Sequence, residues 1–114
     1  MPARGEIWLI NFNPSIGAEI MKERPAVVVS ADHIGALPLR IVVPLTSSAV
    51  ASGKPWMVPI RATPQNQLDR DTVADAFQVK SVSVKRFVHL IGKLTPKQMD
   101  DIAAAIALSI DYTP

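Results

Sequence analysis

The chain has 114 residues, of which 48% are hydrophobic and 19% are charged, enough apolar material for one folded core but not for two. Because Lys and Arg total 12 and Asp and Glu total 10, the formal charge of +2 permits phosphate binding without indicating it. The absence of cysteine excludes a disulfide framework, a thiolate zinc site and a cysteine nucleophile. We therefore expect a single domain over residues 1–114.

The cellular location is inferred from the N-terminal residues and from the longest aliphatic stretch. Residues Met1 to Trp8 include Arg4 and Glu6 and lack the apolar region of a secretory signal. The longest aliphatic stretch, Ile102 to Ile110, is far shorter than the roughly 20 residues that cross a bilayer. We expect a cytoplasmic protein that does not associate with membranes.

Short apolar runs rich in Ile, Val and Trp alternate with turn-forming residues, which is typical of β-strands. The 10 prolines lie mostly at the edges of these runs, since proline lacks the N–H that a central ladder needs. The sequence predicts five or six strands, which are Ile7 to Phe12, Ala26 to Ser30, Ile41 to Leu45, Trp56 to Ile60, one long strand within Thr72 to Val84, and Phe87 to Leu94.

The connections between these strands are polar. A single helical turn is predicted at Asp32 to Gly35, with Ser30 or Asp32 as its cap. Two longer connections, Asn13 to Glu23 and Ala62 to Asp71, follow the first and fourth strands, and we expect both to be mobile.

One convincing helix closes the sequence. Thr95 supplies an N-cap hydroxyl, Pro96 suits the first helical position, and Gln98 completes a capping box, so the helix should run to about Ile110. Strands followed by a C-terminal helix predict a mainly β fold, in which a small bent sheet closes on itself and the helix covers one end. The expected apolar stripe of the helix, which would pack on the sheet or on a second subunit, consists of Met99, Ile102, Ala103, Ile106 and Ile110.

Common catalytic patterns are absent from the sequence. His89 lies inside the apolar run Phe87 to Ile91, which favours a core or edge histidine over an acid or base, and His33 lies in a loop. Neither histidine has carboxylates at a metal-binding spacing, and the H-E-x-x-H, P-loop and G-x-S-x-G patterns do not occur. We expect neither a metal nor a cofactor.

The most informative segment runs from Gly17 to Pro25 and has the pattern G-x-E-x-x-x-x-R-P, followed by a valine-rich strand that ends in Ser30. The next strand closes with Pro44-Leu45-Thr46-Ser47-Ser48. In this order and spacing the segments resemble the MazF and PemK family of toxin endoribonucleases. The resemblance also includes Gly5-Glu6-Ile7-Trp8, Pro55-Trp56, Gln78-Val79-Lys80-Ser81-Val82 and Ile91-Gly92-Lys93-Leu94.

The resemblance implies a small SH3-like barrel of the MazF, PemK and CcdB type, and a homodimer. It implies sequence-selective cleavage of single-stranded RNA, in which the 2′-hydroxyl attacks its own phosphate to leave a cyclic phosphate and a 5′-hydroxyl. No metal or cofactor is implied. The expected partner is a cognate antitoxin whose acidic, partly disordered tail covers the active site.

Three residues match the catalytic positions of the family. Arg24 would stabilise phosphate charge, because a guanidinium stays protonated and can donate to two oxygens at once. Thr46 would bond the scissile phosphate or relay a proton, although a threonine at a strand end can also bond its own backbone. Glu19 would act as the general base or organise Arg24, and its structural alternative is a solvated loop carboxylate.

RNA-binding roles are also expected for Ser47, Gln78, Lys22 and Lys80. Ser47 and Gln78 are equally able to satisfy backbone groups near the rim of the barrel. Phe77 departs from the family pattern, since relatives often have an acidic or small polar residue there. Phe77 is either a core residue or a platform on which a base stacks.

Two other functions remain as alternatives. A noncatalytic toxin of the CcdB kind would have the same barrel and poison gyrase, but residues 110–114 lack the terminal tryptophan and glycine that such binding leads us to expect. A peptide-binding module would line a groove with aromatic side chains, and aromatic residues make up only 5% of this chain.

Overall fold

The computed structural model describes residues 2–34, 36–47 and 53–113. Within these ranges the chain forms seven strands and one α-helix, and short 3-10 turns lie at Asp32–Ile34, Ala76–Gln78 and Val84–Arg86. The strands are β1 (Glu6–Asn11), β2 (Glu23–Val28), β3 (Leu39–Ser47), β4 (Met57–Ile60), β5 (Thr72–Asp75), β6 (Lys80–Ser83) and β7 (Phe87–Lys93), and the helix is α1 (Pro96–Ser109).

All described strand pairs are antiparallel, and the strand order is β4-β5-β3-β2-β1-β7, with β6 also paired to β3. The long strand β3 changes partners along its length. Its first residues, Leu39 to Val42, pair with β6, whereas Leu45 to Ser47 pair with β5. Because β6 and β5 pair with different parts of β3, the sheet bends sharply at this strand. The predicted mainly β fold with a C-terminal helix is confirmed.

Two strand predictions are corrected. The long strand expected within Thr72 to Val84 is divided into β5 and β6, because residues 76–78 form a 3-10 turn. Asp75 caps this turn by accepting a hydrogen bond from the Phe77 N–H at 3.2 Å. Strand β2 begins at Glu23 instead of Ala26, so Arg24 and Pro25 belong to a strand and not to the preceding loop.

Two apolar clusters lie on opposite faces of the sheet, since successive residues of a strand point to opposite sides. In β2, Val27 joins the cluster beneath α1, and Ala26 and Val28 join the other. We call the first the helix-side core; it contains Ile7, Val27, Val43, Leu45, Ile60, Ala74, Leu94, Met99 and Ile102. The second, the loop-side core, contains Ile10, Phe12, Ala26, Val28, Val42 and Val82, with Ile20 of the β1–β2 connection packed against it.

Helix α1 begins as predicted. The Thr95 hydroxyl accepts from the Gln98 N–H at 3.1 Å, and the Gln98 side chain accepts from the Thr95 N–H at 2.9 Å. The apolar stripe differs from the prediction, because it is centred on Ile102 and buries Ala105, while Ala103 is exposed.

Three further predictions concern the end of α1, the turn near Asp32 and membrane-spanning helices. Ile110 follows the end of the helix and is 69% exposed. The expected turn near Asp32 is observed, and its last predicted residue, Gly35, lies outside the described residues. Of the helices in the described part of the chain, none is long and apolar enough to cross a membrane.

Candidate active site

A pocket of about 270 Å³ opens where β2 and β3 separate. The ladder between these strands covers Ala26 to Val28 of β2 and ends at the pair Ala26 and Pro44. Beyond this pair, Pro25 has no N–H with which to continue a ladder. The space that results is lined by Arg24, Pro25, Leu45, Thr46, Ser47, Leu68, Asp69, Arg70 and Thr72.

Arg24 and Thr46 reach this pocket from adjacent strands. Both lie two residues beyond the pair Ala26 and Pro44, and alternation along the strands places them on the same side of the sheet. The Arg24 Nε donates to the Met21 carbonyl at 3.1 Å, so the β1–β2 connection helps to orient the half-buried guanidinium. The two side chains that the family motif singled out therefore line one pocket, together with the exposed Ser47.

Two hydroxyls in the pocket wall have no partner. The Oγ1 atoms of Thr46 and Thr72 are buried and make no hydrogen bond to any described residue. A buried hydroxyl without a partner costs about 1 to 3 kcal/mol, so such groups are uncommon unless a ligand uses them. Their presence beside Arg24 is typical of a binding site.

The β4–β5 connection forms the remaining wall, and Asn66 fixes its shape. The Asn66 Oδ1 accepts from the N–H groups of Thr63 at 2.9 Å and Leu68 at 3.1 Å, and Nδ2 donates to the Arg61 carbonyl at 2.7 Å. The connection also rests on β7 at Gly92, where an added Cβ would lie 2.3 Å from the Asn66 carbonyl oxygen. The segment that we expected to be mobile is thus held by internal hydrogen bonds and by close packing.

Asp69 and Arg70 of this connection are site residues that the sequence analysis did not identify. Both are exposed and both line the pocket. The only sequence signal was the charged run Asp69-Arg70-Asp71, which is also typical of a solvated loop. Counting the charged side chains in the pocket lining, Arg24 and Arg70 against Asp69, gives a net charge of +1.

Glu19 and Lys22 lie in the β1–β2 connection, outside the pocket lining. The exposed Glu19 accepts a hydrogen bond from the Ile16 N–H through Oε1 at 2.6 Å, which closes a short turn. Lys22 is exposed and has a positive φ of 67°, and its N–H donates to the Asn13 Oδ1 at 3.0 Å. In this arrangement Glu19 shapes the connection that orients Arg24.

Gln78 and Lys80 also lie outside the pocket lining. The Gln78 side-chain amide donates to the Ala18 carbonyl at 3.1 Å and accepts from the Ile20 N–H at 3.3 Å, so it ties the β1–β2 connection to the 3-10 turn. Lys80 pairs with Val42 and lies on the side of the sheet that bears the loop-side core. The structure therefore brings together Arg24, Thr46 and Ser47 but not the other predicted site residues.

Three further residues have clear positions. Phe77 is 66% exposed and makes an edge contact with Trp56 at a ring separation of 6.2 Å, so it is not a core residue. His89 is exposed on the edge strand β7, which agrees with the edge alternative. Among the residues that the structure describes, no group of three or more His, Cys, Asp or Glu could hold a metal ion.

Comparison with known proteins identifies the family of the chain. Residues 3–110 match the model of the PemK-like, MazF-like toxins of type II toxin-antitoxin systems. The chain is 35% identical to endoribonuclease MazF9 of Mycobacterium tuberculosis, over 97% of this chain and 98% of that protein.

Solved structures share the fold. MazF of Deinococcus radiodurans superposes with a TM-score of 0.78 at 25% identity, over 97% of this chain and 96% of that one. A mycobacterial endoribonuclease solved in complex with its cognate antitoxin gives a TM-score of 0.77 at 18% identity, over 100% of this chain and 99% of that one. The family indicated by the sequence motifs is confirmed: the chain belongs to the PemK-like, MazF-like toxins of type II toxin-antitoxin systems.

Proposed function

We propose that this protein is a toxin endoribonuclease that cleaves single-stranded RNA at selected sequences without a metal ion, through attack of a 2′-hydroxyl on the adjacent phosphate. The endoribonuclease class agrees with the curated relatives that cover almost the whole chain. The observation that carries the proposal is the meeting of Arg24 and Thr46 in one pocket of net positive charge.

The chemistry requires little from the protein, because the nucleophile is already tethered beside the phosphorus atom. The site must orient the 2′-hydroxyl, stabilise the charge that develops on the phosphate oxygens and move protons. Arg24 suits the second task, since its Nε is held by the Met21 carbonyl and its two Nη groups have no partner among the described residues. Those Nη groups can donate to two phosphate oxygens together.

We assign the other catalytic candidates from their positions. The Thr46 hydroxyl, which lacks a partner in the described structure, would donate to a phosphate oxygen. Glu19 would act through the β1–β2 connection, because its bond to the Ile16 N–H shapes the segment whose Met21 carbonyl orients Arg24. Lys22, Lys80, Gln78 and Ser47 would contact RNA outside the reacting phosphate.

Cleavage of a defined RNA in excess EDTA tests the proposal. Wild-type protein should yield fragments with a cyclic phosphate and a 5′-hydroxyl. Arg24→Ala should lower the rate about 100-fold to 1000-fold, the usual effect of deleting one charge-stabilising donor. Arg61→Ala, which removes an exposed arginine outside the pocket, is the matched control and should cleave normally. Equal rates for the two variants would refute the role of Arg24.

The partners follow from the same proposal. We propose that the chain acts in the cytoplasm as a single toxin domain and a homodimer, and that a small antitoxin neutralises it. An acidic antitoxin tail would be attracted to the pocket by Arg24 and Arg70. Affinity capture of the tagged protein from its native host should recover a small acidic protein, and recovery should fall in Arg24→Ala. Capture of no such protein would count against this partner.

A further inference from the structure

We propose that Arg70 and Thr72 form a second phosphate-binding subsite in the pocket, which takes the RNA phosphate next to the one that is cleaved. The inference rests on the proposed function, because it assigns the same single-stranded RNA to a further part of the same pocket. It adds two binding residues that the sequence motifs did not indicate.

The Arg70 side chain is suited to bind an anion from outside the protein. Its side chain is exposed, lines the pocket, and has no hydrogen bond or ion pair with the residues that the structure describes. The segment that presents it is ordered, because Asn66 is 1% exposed and uses its side-chain amide to hold the connection. Next to Arg70, the Asp71 Oδ1 accepts from the Ala62 N–H at 2.8 Å and so closes the connection. Arg70 therefore projects from a fixed backbone.

Thr72 provides the independent observation. It is only 8% exposed, it pairs with Ser47 across the β3–β5 ladder, and its Oγ1 has no partner among the described residues. Valine has nearly the same shape and would avoid the cost of burying an unpaired hydroxyl. A threonine at this point of the wall indicates a ligand oxygen that accepts its hydrogen bond.

A phosphate fits this subsite better than a neutral group. Arg70 and Arg24 line one pocket, so a strand whose reacting phosphate contacts Arg24 would bring a neighbouring phosphate towards Arg70. Proteins that hold single-stranded nucleic acid follow its backbone with such positive charges. Asp69 lines the same pocket, and its carboxylate would weaken the binding of a phosphate without removing the net positive charge.

Binding measurements with an uncleavable RNA test the subsite. The RNA has a 2′-deoxy sugar at the mapped cleavage position, and its dissociation constant is measured over a range of salt concentrations in EDTA. Arg70→Ala should weaken binding about tenfold to a hundredfold, as expected for a charged hydrogen bond. It should also reduce the salt dependence by about 0.7, the contribution of one phosphate contact on a single strand. Arg61→Ala should match wild type in both respects.

A neutral methylphosphonate next to the cleavage position identifies the phosphate. It should weaken binding to wild type as much as Arg70→Ala does, and it should cause little further loss in that variant, because the two changes remove the same contact. Thr72→Val should weaken RNA binding, and the melting temperature of this variant should equal or exceed that of wild type. Thr72→Ser should retain RNA binding.

The outcomes separate the two hypotheses. If wild type cleaves RNA but Arg70→Ala binds like Arg61→Ala, the subsite is wrong and the proposed function stands. If folded wild type binds RNA without cleaving it, the proposed function fails, and the same comparison of variants on the intact RNA still decides the subsite. A protein that binds no RNA overturns both.

Discussion

Arg24 and Thr46 are brought together by a local failure of strand pairing. Pro25 cannot donate to a neighbouring strand, and the β2–β3 ladder ends one residue later at Ala26. The next residues of both strands then face an open pocket instead of each other's backbone. At the scale of single residues, the proline of the R-P motif matters because it helps to make the space that the arginine uses.

Thr46→Val should separate function from stability at this site. Removing a buried hydroxyl without a partner should raise the free energy of unfolding by about 1 kcal/mol, and cleavage should fall at least about tenfold because the phosphate loses a hydrogen bond. Urea unfolding and single-turnover cleavage measure the two effects. Thr46→Ser keeps the hydroxyl and should retain most activity. Loss of stability in Thr46→Val would mean that the hydroxyl has a structural partner.

Asp75 should make stability depend on pH. Burial raises the pKa of Asp75 above its ordinary value, and the hydrogen bonds from the Phe77 and Gln78 N–H groups and the charge of Lys54 offset only part of this rise. The folded state therefore holds this proton more tightly than the unfolded state. The stability that this proton gives to the folded state is present below the ordinary aspartate pKa of about 3.9. It is lost as the pH rises through the pKa of Asp75 in the folded state.

Asp75→Asn removes this titration and keeps a side-chain oxygen that can accept from the Phe77 N–H. The variant should be more stable than wild type near neutral pH, and its advantage should shrink as the pH falls through the raised folded pKa towards the ordinary value of about 3.9. Urea unfolding at several pH values measures the difference. A difference that does not change with pH would show that Asp75 is not perturbed in the folded state.

The residues of the candidate site differed in how well the sequence revealed them. Arg24 and Thr46 lie in local motifs, so their types and spacing were sufficient to select them. Arg70 has no such motif, and its place in the pocket depends on the path of the β4–β5 connection, which the Asn66 hydrogen bonds and the packing of Asn66 on Gly92 of β7 determine. The contact with β7 is a tertiary contact, which a charged run in a loop does not disclose.

At the scale of elements, capping and turn chemistry decided which predictions succeeded. The start of α1 was predictable because Thr95 and Gln98 bond each other's backbone locally. The break between β5 and β6 was missed because an apolar, strand-like run conceals a turn that Asp75 caps. The 3-10 turn also carries Gln78, whose amide holds the β1–β2 connection. The turn therefore links the sheet to the segment that orients Arg24.

Gly92→Ala should disturb the site through an element that contains no site residue. The added Cβ would meet the Asn66 backbone rather than a flexible side chain, so the β4–β5 connection must move. Overpacking of this kind costs about 1 to 3 kcal/mol, and RNA cleavage should fall because Arg70 moves with the connection. Urea unfolding and cleavage rates measure both effects, with Lys93→Ala as an exposed neighbouring control. A fully stable, fully active Gly92→Ala would show that the connection does not depend on this contact.

At the scale of the whole molecule, the sheet ends in an edge strand, β7, that is open to pairing with a partner. Strand β7 pairs with β1 on one side only, and no described strand covers its other side. Val88 and Leu90 of this strand are each 50% exposed, so the edge carries exposed apolar side chains. A long apolar edge is a site of association unless it is covered. We therefore place the interface of the proposed homodimer at β7.

Leu90→Lys should convert the dimer into a monomer, because it buries a charge in an apolar interface. Light scattering after size exclusion should give twice the chain mass of 12.3 kDa for wild type and about one chain mass for the variant. Leu37→Lys is the matched control, since Leu37 is also a leucine exposed by 50% but lies in a separate pocket beside the Asp32–Ile34 turn. Circular dichroism should show that both variants are folded. If Leu37→Lys dissociates the dimer and Leu90→Lys does not, the interface lies beside that turn and the free edge of β7 is covered by something other than a second copy.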